Sequence, residues 1–354
     1  MSNNISIKRI YKNKPTCVGA GLVALDVILN GSPKTLPKVF AGGSCGNVLS
    51  ILSYLGWNSY PIARLTNNLA ASELIHDLKK WSVKTDLISQ KNDGSTPIII
   101  HRILKDKFGL PKHRFEFKIP GTSHWLPSFK PVINNETESI ITTVPKTKVF
   151  YFDRVSRSSI ELAKKYKENG ALIVFEPSSI GDQKLFNESL QVTHILKYSS
   201  DRIENYRKLF PKNMCELEIE TLGKNGLQYR CLKAKHTSVW KTVSAPLIDS
   251  IKDSAGAGDW CTAGIIHHLG QGGFKFFQGC AEGEIERALI FGQYLGALNC
   301  IFDGARGIMY NISFKNLNNS LKMLSLAKQP KLKINPKDIT CPKDFSFQKL
   351  LQEI

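Results

Sequence analysis

From Thr16 onward the chain alternates short runs rich in β-branched residues with stretches of helical period. Cys17-Val18-Gly19 and Ser59 to Arg64 read as strands on either side of a helix-like Ser44 to Gly56. The alternation resumes with strand Val149 to Asp153, helix Ser156 to Asn169, and strands Ala171 to Glu176, Thr193 to Tyr198 and Cys215 to Leu222. Two long helices, Gly256 to Leu269 and Glu282 to Phe302, close the pattern. Strands separated by helices pair in parallel through crossovers, so the order predicts an α/β fold built on a parallel sheet.

Two regions break this order. Residues 95–131 read as two strands, Thr96 to Leu104 and Arg114 to Ile119, joined by Lys107-Phe108-Gly109-Leu110-Pro111. An inserted hairpin of this kind, with part of 30–42, is expected to form a lid. After Ser313 the chain turns Lys/Asn/Pro-rich, so 311–354 is expected to be an extension packed on the surface or partly mobile, outside a main domain at 15–310.

Composition excludes several classes. With 42% hydrophobic and 22% charged residues over 354 positions, the chain is neither collagenous nor wholly disordered and can bury a sizeable core. No apolar run approaches the roughly eighteen residues a bilayer span needs, and the polar start lacks a secretory h-region, so no membrane partner and a cytoplasmic location are expected. Cys17, Cys45, Cys215, Cys231, Cys261, Cys280, Cys300 and Cys341 stand singly, without metal-site spacing, and are expected to be reduced and mostly buried. The net charge of +18 favours an anionic partner, whether nucleic acid, phospholipid or a small phosphorylated ligand; dispersed lysines also suit a merely solvated surface.

The strongest local signal is Asp253-Ser254-Ala255-Gly256-Ala257-Gly258-Asp259, running directly into the apolar Trp260 to Ile266. Small residues permit a tight turn into a helix whose first N–H groups lack partners and face the positive end of the dipole, which makes an anion site. A carboxylate beside a bound phosphate is repelled unless it performs proton chemistry, so Asp259 is the candidate general base. A chance match to D-x-x-G-A-G-D in such a chain is on the order of 10⁻³ to 10⁻⁴.

This segment resembles the C-terminal signature of the PfkB (ribokinase-like) carbohydrate and nucleoside kinases, and the resemblance spans roughly 15–310. Ala41-Gly42-Gly43-Ser44-Cys45-Gly46-Asn47 is similar to that family's G-G-x-x-x-N stretch, which grips sugar hydroxyls, with Gly42, Gly43 and Asn47 at the matching places. Gly19 to Asp26 looks like the family's first strand, ending in Asp26 as a substrate-binding carboxylate. Thr221-Leu222-Gly223-Lys224-Asn225-Gly226 is similar to the T-L-G-x-x-G turn beside the nucleotide phosphates, and Gln293 to Ala305 to the helix and Gly-Ala end lining the adenine pocket. The resemblance implies a three-layer α/β/α fold with a mostly parallel central sheet and a small β lid. It also implies ATP as phosphoryl donor, Mg²⁺ on the nucleotide, a sugar-like acceptor, and a homodimer through the lid; it is compatible with K⁺. The N–H groups of Ala255 to Gly258 would stabilise the moving phosphoryl group, and Asp253 would orient a water or metal on the phosphate side.

The sequence departs from the family where N-x-x-E usually serves the hydrated Mg²⁺. Lys197-Tyr198-Ser199-Ser200-Asp201-Arg202 offers Ser199 and Arg202 there, which leaves Glu176 and Asp201 as substitute metal candidates. The hairpin is basic, with Arg102, Lys105, Lys107, Lys112, Arg114, Lys118 and Lys130 against Asp106 and Glu116, a hint that the acceptor carries an anion.

Other classes were weighed. Gly19-x-Gly21-x-x-Ala24 fits a dinucleotide fingerprint, but no Asp or Glu occurs from Val27 to Ser72 to hold a ribose. No P-loop motif is present. A nucleoside kinase of the same fold, or a catalytically impaired kinase-fold protein binding nucleic acid or acting in regulation, are the alternatives to a sugar kinase.

Overall fold

Strands β1 (Thr16–Ala20), β8 (Val149–Phe152), β9 (Leu172–Phe175), β10 (Ile195–Ser199) and β11 (Leu217–Thr221) are buried on both faces, as interior strands of a covered parallel sheet must be, and are mostly apolar apart from Lys197 on β10 and Glu218 and Glu220 on β11. The remaining strands are β2 (Ala24–Ile28), β3 (Lys38–Gly42), β4 (Asn58–Leu65), β5 (Ile88–Gln90), β6 (Ile98–Lys105), β7 (Pro111–Glu116), β12 (Leu227–Cys231) and β13 (Lys241–Val243). Helices are α1 (Ser44–Tyr54), α2 (Leu69–Lys80), α3 (Thr137–Thr143), α4 (Arg157–Glu168), α5 (Gln183–Val192), α6 (Tyr206–Leu209), α7 (Ala257–Leu269), α8 (Phe274–Gly279), α9 (Glu282–Asn299), α10 (Gly307–Asn311), α11 (Phe314–Ser325) and α12 (Phe347–Gln352). The structure is a computed structural model and describes residues 13–29, 37–105, 111–232, 239–248, 251–326 and 347–353. The hairpin turn 107–110, the 30–36 part of the expected lid, the stretch 327–346 and Cys341 lie outside the described residues.

The nine-stranded sheet runs β13-β12-β11-β10-β9-β8-β1-β4-β5, parallel from β11 through β5 and antiparallel at β12 and β13. Side-chain alternation sends Val149 and Tyr151 to one face and Phe150 and Phe152 to the other, and each face has its own core cluster. Helices α1, α7 and α9 cover the first face and α4 and α5 the second, giving three layers. Helix starts are capped where the sequence supplies an acceptor: Asn68 to Ala71 N–H (3.0 Å), Ser156 to Ser159 N–H (3.0 Å) and Asp182 to Leu185 N–H (2.9 Å).

Strand β4 pairs with β1 on one side and β8 on the other, so the strand order reverses at β1, where a crevice is expected beyond its carboxyl end. A second sheet, β3-β2-β6-β7, stands apart from the first. The hairpin read at 95–131 is its β6 and β7, but β2 and β3 belong to it as well. Asp26 therefore does not end the first strand: the chain leaves β1, bends through Gly21 to Val23, and carries Asp26 in the middle of β2. That bend leaves no trace in hydrophobic periodicity because both strands are apolar.

Residues 314–325, weakly periodic in sequence, form α11, whose Leu317, Leu321 and Leu324 are buried in the main core. Cys17, Cys45, Cys215, Cys231, Cys261, Cys280 and Cys300 are free and buried, as expected. Among the described residues no helix is long and apolar enough to cross a membrane.

Candidate active site

Helix α7 is almost wholly buried between α1 and α9, which fixes the aim of its N-terminus. Its N-cap, Gly256, adopts φ 73°, and a methyl group there would collide with the Ala305 carbonyl, so only glycine lets the chain turn into the helix at this point. Asp253, 1% exposed, braces the bend: its Oδ1 accepts from Ala255 N–H (2.6 Å) and its Oδ2 from Gly304 N–H (2.7 Å). Ala257 N–H is directed at Ser254 O (3.3 Å). The N–H groups of Gly256 and Gly258 have no hydrogen bond among the described residues and remain as donors at the positive helix end.

Asp259 lies in the first turn of α7 and accepts a hydrogen bond from Asn47 Nδ2 (2.8 Å). Burial, and next the charge of Glu176, push its carboxyl up to about 8, against the pull of Asn47, Lys197 and Arg202. Asn47, 5% exposed on α1, leaves its Oδ1 buried without a partner. An orphaned buried acceptor typically costs about 1–3 kcal/mol, which a ligand hydroxyl would relieve.

The first α1 turn and β1's end are stitched together at the crevice by Asp153, whose Oδ1 accepts from Leu22 N–H (2.9 Å) and whose Oδ2 takes the Ser44 hydroxyl, with Arg154 beside it (3.3 Å). Burial raises the Asp153 carboxyl; Arg154, Ser44 and Leu22 act in the opposite direction. Across this opening the Asp26 carboxylate packs on Gly42, where a methyl group would collide with it. Burial pushes Asp26 up to about 7, and Arg306 pulls it down. Gly43, at φ 75°, is the N-cap of α1. Asp26 thus lies against Gly42, next to the Gly43 start of α1, and the same helix carries Asn47 to Asp259.

The nucleotide-side residues sit at the ends of neighbouring strands. Thr221 ends β11 beside the turn after β10, with Ser200 N–H donating to its carbonyl (3.1 Å). Gly223 and Gly226, at φ 56° and 93°, shape the turn into β12. Gln293 on α9 donates from Nε2 to Val243 O (3.2 Å) and Ser244 O (3.3 Å), tying the helix to the end of β13.

The metal candidates fare differently. Glu176 is ion-paired with the buried Lys197 and also accepts from Thr262 Oγ1 (2.6 Å) and Tyr151 OH (3.2 Å). Burial would lower Lys197, but Glu176 outweighs it and holds the ammonium charged. Asp201 lies exposed in the turn after β10, and no group of three potential ligands occurs among the described residues. With Glu176 neutralised and Arg202 in the last position of the stretch, these residues do not fit a protein-held Mg²⁺.

Sequence reasoning missed Asp153, Lys197 and Arg306. Lys197 is a charge inside an otherwise apolar strand, and Arg306 stands one position beyond the Gly-Ala end, so both left a signal.

No protein-family model and no curated protein sequence matches the chain. Solved structures do. A fructokinase from Xylella fastidiosa with bound ATP superposes with TM-score 0.64 at 16% identity over 83% of this chain and 94% of its own. A Burkholderia thailandensis nucleoside kinase in complex with inosine gives 0.61 at 13% over 89% and 99%, and ribokinase from Thermotoga maritima gives 0.59 at 16% over 83% and 95%. The chain therefore has the ribokinase-like α/β fold that these sugar and nucleoside kinases share.

Proposed function

We propose that the chain is a phosphotransferase that moves the γ-phosphoryl group of ATP to a hydroxyl of a sugar or sugar derivative. The observation that carries this is Asp259: a carboxyl tuned to about 8 at the N-terminus of α7, joined to Asn47 and flanked by the free N–H groups of Gly256 and Gly258. A base near neutrality is what abstraction of an alcohol proton requires. The Gly256 and Gly258 donors and the helix dipole would stabilise charge on the phosphoryl group in flight. Asp26 and Asn47 would hold the acceptor's neighbouring hydroxyls, converting a bimolecular encounter into an oriented one. Thr221, Gly223, Gly226 and Gln293 would flank the nucleotide. Mg²⁺ enters with the nucleotide rather than through a protein site, and the sheet β3-β2-β6-β7 acts as the lid that excludes water. The ATP found in the Xylella structure and the fructose, ADP and potassium ion in a Vibrio cholerae fructokinase support this choice of substrates.

A nucleoside acceptor is the second reading. In β-sheet register the face of β2 that carries Asp26 continues to His101 and Phe115, whose rings stack at 4.9 Å and 21°, with Phe115 half exposed, a surface suited to a planar base. The test is an ATP-consumption screen over hexoses, pentoses, sugar phosphates and nucleosides, with Asp259→Asn as control. Turnover that the control leaves intact rejects the base assignment, and the acceptor that saturates decides between the readings.

A further inference from the structure

Arg306 caps α10 from inside the protein, 3% exposed. Its Nη2 pairs with Asp77 of α2, and its guanidinium carbon stands 5.8 Å from the Tyr310 ring centroid. Asp77 in turn accepts from Ala41 N–H on β3 (2.9 Å) and from Tyr310 OH (3.3 Å). Nη1 of Arg306 is buried and without a hydrogen-bond partner. A buried guanidinium left partly unsatisfied is costly and persists where its charge serves another group. Ala41 adjoins Gly42, on which the Asp26 carboxylate packs, so the Arg306–Asp77 pair is joined to the backbone that Asp26 rests on, and the Arg306 charge favours the ionised form of that carboxyl.

The preceding residues reach the other half of the site. Gly304 N–H donates to Asp253, and the Ala305 carbonyl accepts from Trp260 Nε1 (3.1 Å) while closing over Gly256. Three consecutive residues thus touch the glycine-lined bend and the β2-β3 sheet.

We propose that Arg306 is a positioning residue for the acceptor: anchored on Asp77, which also holds the β3 backbone next to the Gly42 that Asp26 packs against, it keeps Asp26 in place and ties that place to the bend that seats the phosphoryl group. The inference rests on Asp26 being the acceptor-binding carboxylate. Phe40 and Ile99, the register partners of Asp26 on β3 and β6, do not titrate; Lys38 and His101 lie two positions along the same face, and Asp77 and Tyr310 approach from α2 and α10.

The test is a carbon-13 titration of the aspartate-labelled full chain, with the Asp26 signal assigned through Asp26→Asn. Arg306→Gln is expected to raise the Asp26 midpoint by about one pH unit, a tenfold change in proton affinity, and Arg306→Lys to restore most of it. Should Arg306→Gln fail to fold, the pair Asp77→Asn with Arg306→Met removes both charges together and replaces it. In the ATP-consumption assay Arg306→Gln should raise the acceptor KM about tenfold near pH 7 and little above pH 9, with kcat changing less. An Asp26 midpoint that does not move overturns the inference. A midpoint that moves while Asp26→Asn leaves acceptor KM unchanged overturns the acceptor role of Asp26 instead, and with it the positioning claim.

Discussion

Asn47 donates from Nδ2 to Asp259 Oδ2 at 2.8 Å across 212 positions of sequence, joining the Gly-Gly loop at the start of α1 to the Gly-rich start of α7. On the proposed function, one side chain would touch both the acceptor and the base. Because the bond favours the charged form of Asp259, it acts against the burial that raises that carboxyl to about 8.

Activity should follow the ionisation of Asp259. In the free protein kcat/KM for the acceptor is expected to climb with pH through about 8 and then level. Asn47→Ala removes a donor to the carboxylate and should move that rise to higher pH while raising acceptor KM. Asp259→Asn should lower turnover by about 10²- to 10⁴-fold above about pH 8, with the deficit shrinking as pH falls and the parent's own base is protonated. A flat profile between pH 6 and 9 would exclude Asp259 as the base.

The same carboxyl makes stability depend on pH. Its value in the folded chain lies above the ordinary 3.8, so the folded state binds the proton more tightly than the unfolded state does. Stability from this group is fully present below about 3.8 and falls as pH rises to about 8. Asp259→Asn removes the penalty, so the Tm of the variant minus that of the parent should widen from pH 5 to pH 8 and stay constant above. Thermal unfolding across that range checks it; a difference independent of pH would contradict the shift.

Lys197 and Glu176 form a pair 3% and 15% exposed in their side chains, beneath Gly258. Removing one partner of such a pair typically costs about 3–5 kcal/mol, because the other charge is left buried. Lys197→Met should therefore destabilise strongly in urea titrations. The double change with Glu176→Gln should recover much of the loss. Lys197→Met should also raise the Asp259 midpoint, since a cation that lowers it is gone. A double variant whose loss equals the sum of the losses of Lys197→Met and Glu176→Gln would show that the pair does not interact.

How far the sequence alone was legible follows from which signals are local. The alternation of strands and helices, the glycine bend at Gly256 and the seven described free buried thiols depend on neighbours along the chain, and all are found where the pattern placed them. Asp26 on a second sheet, and the Asp77–Arg306 pair across 229 positions, depend on tertiary packing that no periodicity encodes. Helix α2 was missed although Asn68 is a good N-cap and Ala70, Ala71, Leu74 and Leu78 recur at helical spacing. On the basic hairpin Glu116 pairs across the strands with Arg102 at 3.0 Å and along its own strand with Arg114 at 3.4 Å, contacts that the count of charges in the sequence cannot place.

Glycine itself gives the last prediction. Gly256 holds φ 73° against the Ala305 carbonyl, so Gly256→Ala must both strain the backbone and displace the segment that carries Gly304 and Arg306. The left-handed conformation alone costs about 1–2 kcal/mol for a residue with a side chain, and the collision adds to it. Gly279, in the last turn of α8, has open space around its α-carbon, and alanine there should be neutral or gain a few tenths of a kcal/mol. The comparison separates a site-specific requirement from a general intolerance of change. Nucleotide binding, read by the Tm increase on adding ATP, should fall sharply in Gly256→Ala and remain intact in Gly279→Ala. Undiminished ATP stabilisation of Gly256→Ala would mean that the phosphates do not rest on this bend.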